Sequence, residues 1–462
     1  MAHVPVPGAQ LTLDLEASIP THVHEVLTTL WSAGHAAYVV GGSIRDTLLG
    51  EPPFDWDLAT SARPERTAGL FPGESVYEND FGTVAIRRGD AEEIEVTTLR
   101  SDHDYADFRR PHHVEFTDSI DLDLARRDFT VNAMAWGAAP GDEPILVDPH
   151  AGQVDLAARL LRAVGDPDAR FREDALRMVR ATRLAATLAF EIEPATLAAI
   201  KADAELVGHL SGERIAIELS RMLSAPRPSV GLRLMADTGV LAAISPELAA
   251  QRGVPQNKVP GEDLWDHTLR AVDGAPADQP RIRLAALLHD LGKPSTFSDG
   301  RFLRHEIVGA DLADAFLDRL RWPRAERERI VHLVRQHMFG YEHSWSDTAI
   351  RRFVAKVGPA AVDDLFALRE ADNIGSGHVP AAGRLDEFRA RVDVQLASNV
   401  ALDLRGLAVD GDDLMAELDL VPGPRIGRLL DGLLELVIAD PRLNRRETLL
   451  ARARSMVTER AS

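Results

Sequence analysis

Between Tyr38 and Thr60 an apolar, strand-like run ends in Gly41-Gly42-Ser43-Ile44-Arg45-Asp46, and a short Pro-containing loop then leads into Asp55-Trp56-Asp57. This order constrains fold and chemistry together. If Asp55 to Asp57 is extended, successive side chains alternate faces, so both carboxylates project to one side while Trp56 points into the core. Two hard anionic ligands on one face suit Mg²⁺, and a Gly-Gly turn at a helix start offers bare backbone N–H groups to a phosphate chain. The stretch predicts metal-dependent chemistry on a nucleoside triphosphate.

A chain of 462 residues exceeds what one hydrophobic core usually organises, so two to four domains are expected. No basic-then-apolar leader stands at the N-terminus, and no apolar run of roughly 18 residues could span a bilayer. The expected location is the cytoplasm, with no membrane partner. Cysteine is absent, which excludes disulfides and thiolate ligands and leaves Asp, Glu and His to hold metals. A formal net charge of −20 argues against a bulk electrostatic grip on nucleic acid. Local balance differs: residues 162–183 carry six Arg against four acids, and residues 421–462 carry eight against five. Arg favours bidentate contacts to phosphates and base edges, so RNA binding is permitted.

The first 150 residues mix strand-like runs, such as Thr83-Val84-Ala85-Ile86 and Ile94-Glu95-Val96-Thr97-Thr98, with helical patterns. After Gly152 the pattern becomes almost purely helical, and Pro- and Gly-bearing joints fall near Pro226-Arg227-Pro228, Gly253 to Pro260 and Pro422-Gly423-Pro424. The expected organisation is α+β: a mixed head over 1–150, a helical neck over 151–255, a second helical domain over 256–400 and a helical tail over 401–462.

Three further stretches follow in order: Glu95-Val96-Thr97-Thr98-Leu99-Arg100, Arg126-Arg127-Asp128-Phe129-Thr130-Val131-Asn132-Ala133-Met134-Ala135, and Arg170 to Arg180 with Glu173-Asp174-Ala175-Leu176-Arg177 at its centre. From about Tyr38 to Leu223 the chain resembles the bacterial class II tRNA nucleotidyltransferase and poly(A) polymerase family, whose head has the polymerase-β-like nucleotidyltransferase fold. The resemblance implies that Gly41, Gly42 and Arg45 belong to a triphosphate-binding turn and that Asp55 and Asp57 form the metal pair. It places Arg126, Arg127 and Asp128 in a motif for nucleotide sugar contacts and domain coupling. Glu173, Asp174 and Arg177 fall in a base-reading motif that runs on to Arg180. Glu95 is a candidate additional carboxylate, with a sheet-surface acid as the alternative.

The implied reaction is attack of an RNA 3′-hydroxyl on the α-phosphorus of CTP or ATP, with two Mg²⁺ held by Asp55 and Asp57. If Asp174 and Arg177 lie three apart on one helical face, Asp accepts from an exocyclic amine and Arg donates to the adjacent ring nitrogen, a pattern that cytosine and adenine share. Guanine and uracil present the opposite pattern. The alternative is an intrahelical salt bridge. One departure from the family stands at Asp107-Phe108-Arg109-Arg110-Pro111, where Phe108 replaces a common Gly near the flexible loop.

A second ligand set comprises His267, His289-Asp290 before Leu291-Gly292-Lys293, then His305, His337 and Asp372. It resembles the HD phosphohydrolase superfamily, which implies a divalent metal on His267, His289, Asp290 and Asp372. His305 and His337 would complete a second metal position or contact phosphate. Imidazole with carboxylate suits a divalent transition metal better than Mg²⁺ alone; the alternative is a helical scaffold with hydrogen-bonded histidines. The tail from Gly411 through Gly427, with Arg425 and Arg428, resembles the family's C-terminal segment and could hold an RNA backbone; the alternative is a helix-hairpin connection with solvated arginines.

The expected function is template-independent addition or repair of the tRNA 3′ CCA end from CTP and ATP, by a monomer or homodimer, with phosphohydrolase activity in the HD domain. A bacterial poly(A) polymerase is the nearest alternative. A phosphohydrolase with a regulatory nucleotide-binding head, and a non-catalytic RNA-binding protein, are alternatives of other classes.

Overall fold

The computed structural model describes residues 15–77, 82–87, 93–105, 111–256, 258–298, 300–398 and 400–459, with backbone alone at 77, 102–105, 111–114 and 459. The chain divides into two compact units, Met1–Pro246 and Glu247–Ser462.

The first unit carries a seven-stranded sheet. Its strands are β1 (Ala37–Val40), β2 (Asp57–Thr60), β3 (Ser75–Tyr77), β4 (Thr83–Ile86), β5 (Ile94–Thr98), β8 (Ala135–Ala138) and β9 (Ile145–Val147), in spatial order β3-β4-β5-β2-β1-β8-β9. A separate hairpin pairs β6 (Arg100–Tyr105) with β7 (Pro111–Phe116). β1 is buried at every position, as expected for a central strand reading Ala-Tyr-Val-Val. The β2–β5 pair is parallel, and its register sets Asp57 opposite Glu95. The remaining pairs of the sheet are antiparallel.

β1 runs into the helix Gly42–Leu49 through Gly41, whose φ of 78° lies in the left-handed region. A Cβ there would also stand 2.8 Å from an Arg127 guanidinium nitrogen and displace that side chain, but it is the left-handed backbone that calls for glycine. After the sheet the unit is mainly helical, with the short helix Pro167–Glu173, then Leu176–Leu188 and Gly212–Leu223. The first two do not form one helix. Asp174 is extended (φ −144°, ψ 102°), and its Oδ1 accepts from the Leu176 N–H at 3.1 Å. A short acid that captures a nearby backbone donor favours a cap over continued helix, which corrects the single-helix reading of this stretch.

Among the described residues the second unit is helical apart from a pair of two-residue strands and one isolated bridge. Its helix Leu264–Gly274 opens on a reciprocal capping box between Asp263 and Asp266. That helix packs against Pro280–Leu288 and Val362–Gly375. Gly292 lets the His289-Asp290 turn meet the start of the helix His305–Arg319, because a Cβ there would collide with the His305 carbonyl. The tail closes a core of its own around Leu414, Leu433, Val437 and Leu449. Among the described residues no helix is long and apolar enough to cross a membrane.

Candidate functional site

In the first unit, a cavity of about 750 Å³ opens beside the start of β2. Trp56 is buried and Asp55 exposed, so the alternation expected of Asp55-Trp56-Asp57 holds although the strand itself begins at Asp57. Burial, then Asp55, then Glu95 push the Asp57 carboxyl up to about 6, against the opposing pull of Arg127 and Arg180. Carboxylates crowded closely enough to raise the proton affinity of Asp57 form a donor set that a divalent cation fits. Asp55 and Asp57 line the cavity. Glu95 stands on the neighbouring strand within electrostatic range and is exposed.

Gly41, Gly42, Arg45, Arg126, Arg127, Asp128, Asp174, Arg177 and Arg180 line the same cavity. Glu173 does not. It lies behind the wall and accepts from Arg170 at 2.6 Å and Arg177 at 2.9 Å, which makes it a support for Arg177. Arg177 also donates to the Arg126 carbonyl at 2.7 Å, tying its helix to the end of the sheet domain. Arg45 grips Asp46 through two nitrogens, at 2.7 and 2.9 Å. Asp123 holds both Arg126 and Arg127, while the buried Arg127 Nε has no hydrogen-bond partner among the described residues.

Asp128 anchors the cavity floor. Its Oδ1 accepts from the Phe129 N–H and the Asn132 amide, and its Oδ2 accepts from Arg180 at 2.8 Å. Although burial opposes ionisation, Arg180 and Asn132 hold this carboxyl well below the usual range. Glu218, itself buried, accepts from Arg183 at 2.5 Å and lies 3.7 Å from Arg180, so an alternating chain of charges runs along the wall.

Several wall residues went unread in the sequence: Phe54, 87% exposed beside Asp55, together with Asn132, Arg183, Arg214 and Arg221. Arg214 donates to Asp174 Oδ2 at 2.7 Å. Arg214 and Glu218 are four apart in a helical pattern, a visible pairing, but nothing local shows that this face meets Asp174 and Arg183. Eight arginines and five aspartates line the cavity, an excess of three positive charges within a chain of net charge −20. A polyanionic ligand matches that excess.

In the second unit all six expected ligands converge. Asp290 Oδ2 lies 3.2 Å from His267 Nε2 and 3.1 Å from His289 Nε2, and Asp372 Oδ1 lies 3.4 and 3.7 Å from the same nitrogens. Asp290 Oδ1 faces the other way, 3.4 Å from His305 Nε2 and 3.8 Å from His337 Nε2. One carboxylate thus joins two ligand groups. His289, His305 and His337 each direct Nδ1 at a backbone carbonyl three residues earlier, at 2.7, 3.1 and 2.6 Å. With that proton fixed, the Nε2 atoms of His305 and His337 keep a lone pair aimed inward. The Nε2 atoms of His305 and His337 are buried without hydrogen-bond partners among the described residues. A metal cation fits such orphaned acceptors. Burial, then His289, push His337 down to about 3, while Asp290 and Asp372 hold His289 up at about 9 against burial. Lys293 donates to Asp290 at 2.6 Å, and Lys258 lies 3.6 Å from Asp372.

The segment at Phe108 lies outside the described residues.

A mixed sheet bearing paired acids beside a Gly-Gly turn, with a helical unit holding a histidine-aspartate centre, defines a nucleotidyltransferase head joined to an HD domain. The comparisons agree: the Poly A polymerase head domain family matches residues 37–162, the Probable RNA and SrmB- binding site of polymerase A matches 189–252, and the HD domain matches 260–374. A CCA-adding enzyme of Streptococcus suis is 33% identical over 416 residues, 89% of this chain and 92% of that protein. One from Levilactobacillus brevis is 34% identical over 428 residues, 92% and 95% of the two chains. The crystal structure of a Bacillus stearothermophilus CCA-adding enzyme in complex with CTP superposes with a TM-score of 0.70 at 27% identity, covering 95% of this chain and 98% of that one. The chain belongs to the CCA-adding enzyme family and is a nucleotidyltransferase.

Proposed function

We propose that this chain builds or repairs the 3′ CCA end of tRNA, taking CTP and ATP as substrates without a nucleic-acid template. One observation carries the reading: a single cavity is lined by Asp55 and Asp57, by the Gly41-Gly42 turn and by Asp174 and Arg177. Reacting phosphate and selected base therefore have adjoining places. The names of the relatives favour CCA addition over poly(A) addition.

Asp55 and Asp57 would hold Mg²⁺, which when bound supplies Lewis-acid stabilisation of the transferring phosphate. Gly41 and Gly42 admit the triphosphate close to backbone, and the wall arginines offset its charge. Asp174 reads the base amine and Arg177 the ring nitrogen. Arg214 and Glu173 hold these two groups in place. With Arg177 giving three of its hydrogens to Glu173 and to the Arg170 and Arg126 carbonyls, Nε and one further N–H remain for a base edge. Asp174 and Arg177 converge across a helix break, so their alignment depends on these supports.

The test is a tRNA lacking its last three nucleotides, incubated with CTP and ATP separately and together, followed by sequencing of the ends. Ordered C, C, A and then arrest is the expected outcome; a long A tract from ATP alone would replace this reading with poly(A) addition.

A second activity is favoured by the orphaned buried imidazoles. His267, His289, Asp290 and Asp372 would hold one divalent transition metal, and His305 and His337 with Asp290 a second. The activity is removal of phosphate from RNA 3′ ends or opening of cyclic phosphodiesters, cleaning a terminus before addition. Loss of such hydrolysis in His289→Ala, with nucleotide addition retained, is the expected result.

A further inference from the structure

Phe54 lines the reaction cavity immediately before Asp55 and is 87% exposed. Strand alternation would place it on the same face as Trp56, which is buried, yet the backbone bends at Phe54 and its ring leaves the core. Pro52 and Pro53 stand directly before the bend, and the fixed φ of proline stiffens the approach. Among the described residues the ring stacks on no partner. The wall's other large apolar side chains, Leu176 and Leu184, are buried. A flat apolar ring thus faces solvent in a wall rich in arginine and aspartate, one residue from a metal-fit carboxylate.

Two nucleosides must meet at the reacting phosphorus. The CCA reading, on which this inference rests, gives one of them its places: the triphosphate at Gly41-Gly42 and the base at Asp174 and Arg177. The attacking RNA has none yet, and its 3′-hydroxyl must come up to the ion held by Asp55. Consecutive Cα atoms lie about 3.8 Å apart, so a ring on residue 54 stands within reach of the nucleoside that carries this hydroxyl. The acceptor's last base also changes during the reaction: it is whatever precedes the CCA end at the first step and cytosine at the next two. A hydrogen-bonding reader suited to one base would reject another, whereas every base offers a π-face to stack on. We infer that Phe54 is the platform for the last base of the RNA acceptor, holding the 3′-hydroxyl at the metal pair while leaving the identity of that base unread.

The experiment uses a hairpin RNA that stops at the addition point and carries 2-aminopurine, whose fluorescence falls on stacking, as its 3′-terminal base. With metal chelated and no nucleoside triphosphate, saturating amounts of the full wild-type chain and of Phe54→Trp should quench it. Phe54→Leu, which keeps apolar bulk without a π-face, and Phe54→Ala should not. In turnover at saturating CTP, the KM for the unlabelled hairpin should rise about tenfold in Phe54→Ala, the effect of losing one stacking partner, with the KM for CTP unchanged. Quenching that is absent from wild type or survives in Phe54→Ala overturns the platform. So does an unchanged KM for the RNA; if the KM for CTP rises instead, the ring belongs to the incoming nucleotide. If the product ends carry an A tract while quenching still depends on Phe54, the CCA reading falls and the platform stands. Ordered C, C, A with quenching indifferent to Phe54 removes the platform and leaves the CCA reading in place.

Discussion

Asp55 and Asp57 stand at an open strand end where acids crowd one another, whereas His289, His305 and His337 sit buried with one ring nitrogen already tied to backbone. The first arrangement is charge-rich, accessible and built from hard oxygens, so it suits an ion that arrives and leaves with a polyphosphate. The second is preorganised and buried, with softer nitrogen donors whose orientation is set before binding, so it suits an ion that stays. On the proposed reading, one chain would carry an exchangeable and a resident type of metal site, the difference lying in burial and in what holds each ligand.

The largest expected effect breaks the comparison at its base. Asp57→Ala or Asp55→Ala should lower nucleotide incorporation by at least about a thousandfold, the scale of several kcal/mol of metal-assisted stabilisation. Transition metal bound by the second unit should be unchanged in these variants, by elemental analysis. Incorporation near wild-type rates would sink the assignment of the head pair.

Next, Asp290→Asn should strip both ion positions of the second unit, because one carboxylate faces both ligand groups. His305→Ala should strip one. Equal metal stoichiometry in the two variants would refute the shared-carboxylate geometry.

Asp128→Ala removes a buried partner of Arg180 and should cost about 3–5 kcal/mol in denaturant unfolding of the first unit. The sign with pH follows from the depressed folded-state value: stabilisation by Asp128 is fully present above the ordinary carboxyl value of 3.8 and is lost as pH falls through the lower folded value. Asp128→Asn should therefore flatten the acid branch of the stability curve below about pH 4. An acid branch as steep as that of wild type contradicts this.

The smallest effect separates reading a base from supporting the reader. Arg177→Ala should reduce discrimination of CTP and ATP over GTP and UTP by roughly tenfold, and Arg214→Ala by a few-fold, since it acts through Asp174. Selectivity indifferent to Arg177 would remove the base-reading role.

How much of this was legible depended on whether the signal was local. The Gly41-Gly42 turn and the Asp55-Trp56-Asp57 alternation follow from backbone periodicity and glycine's freedom, and both appear in the structure where the residues put them. Asp174 and Arg177 were readable as a pair, but their shared helix was not real: Asp174 captures the Leu176 N–H and ends the preceding helix, a competition that spacing alone does not reveal. Glu173 looked equivalent to Asp174 and instead faces Arg170 and Arg177 behind the wall. Arg214, more than thirty residues downstream of that motif, carries no mark of its role, because a contact across helices depends on how their faces pack.

By itself, then, the order of residues determined the strand-turn-helix and its metal-fit acids, the absence of thiolate chemistry, and the set of histidines and aspartates available to a second centre. Only the tertiary structure decided that Asp290 turns its two oxygens towards different histidines, that Arg214 steadies Asp174, and that Phe54 stands in the cavity wall while Trp56 enters the core. The physical reason is distance along the chain: periodicity and capping act within a few residues and are written locally, whereas metal geometry and cavity walls arise when helices remote in sequence pack face to face.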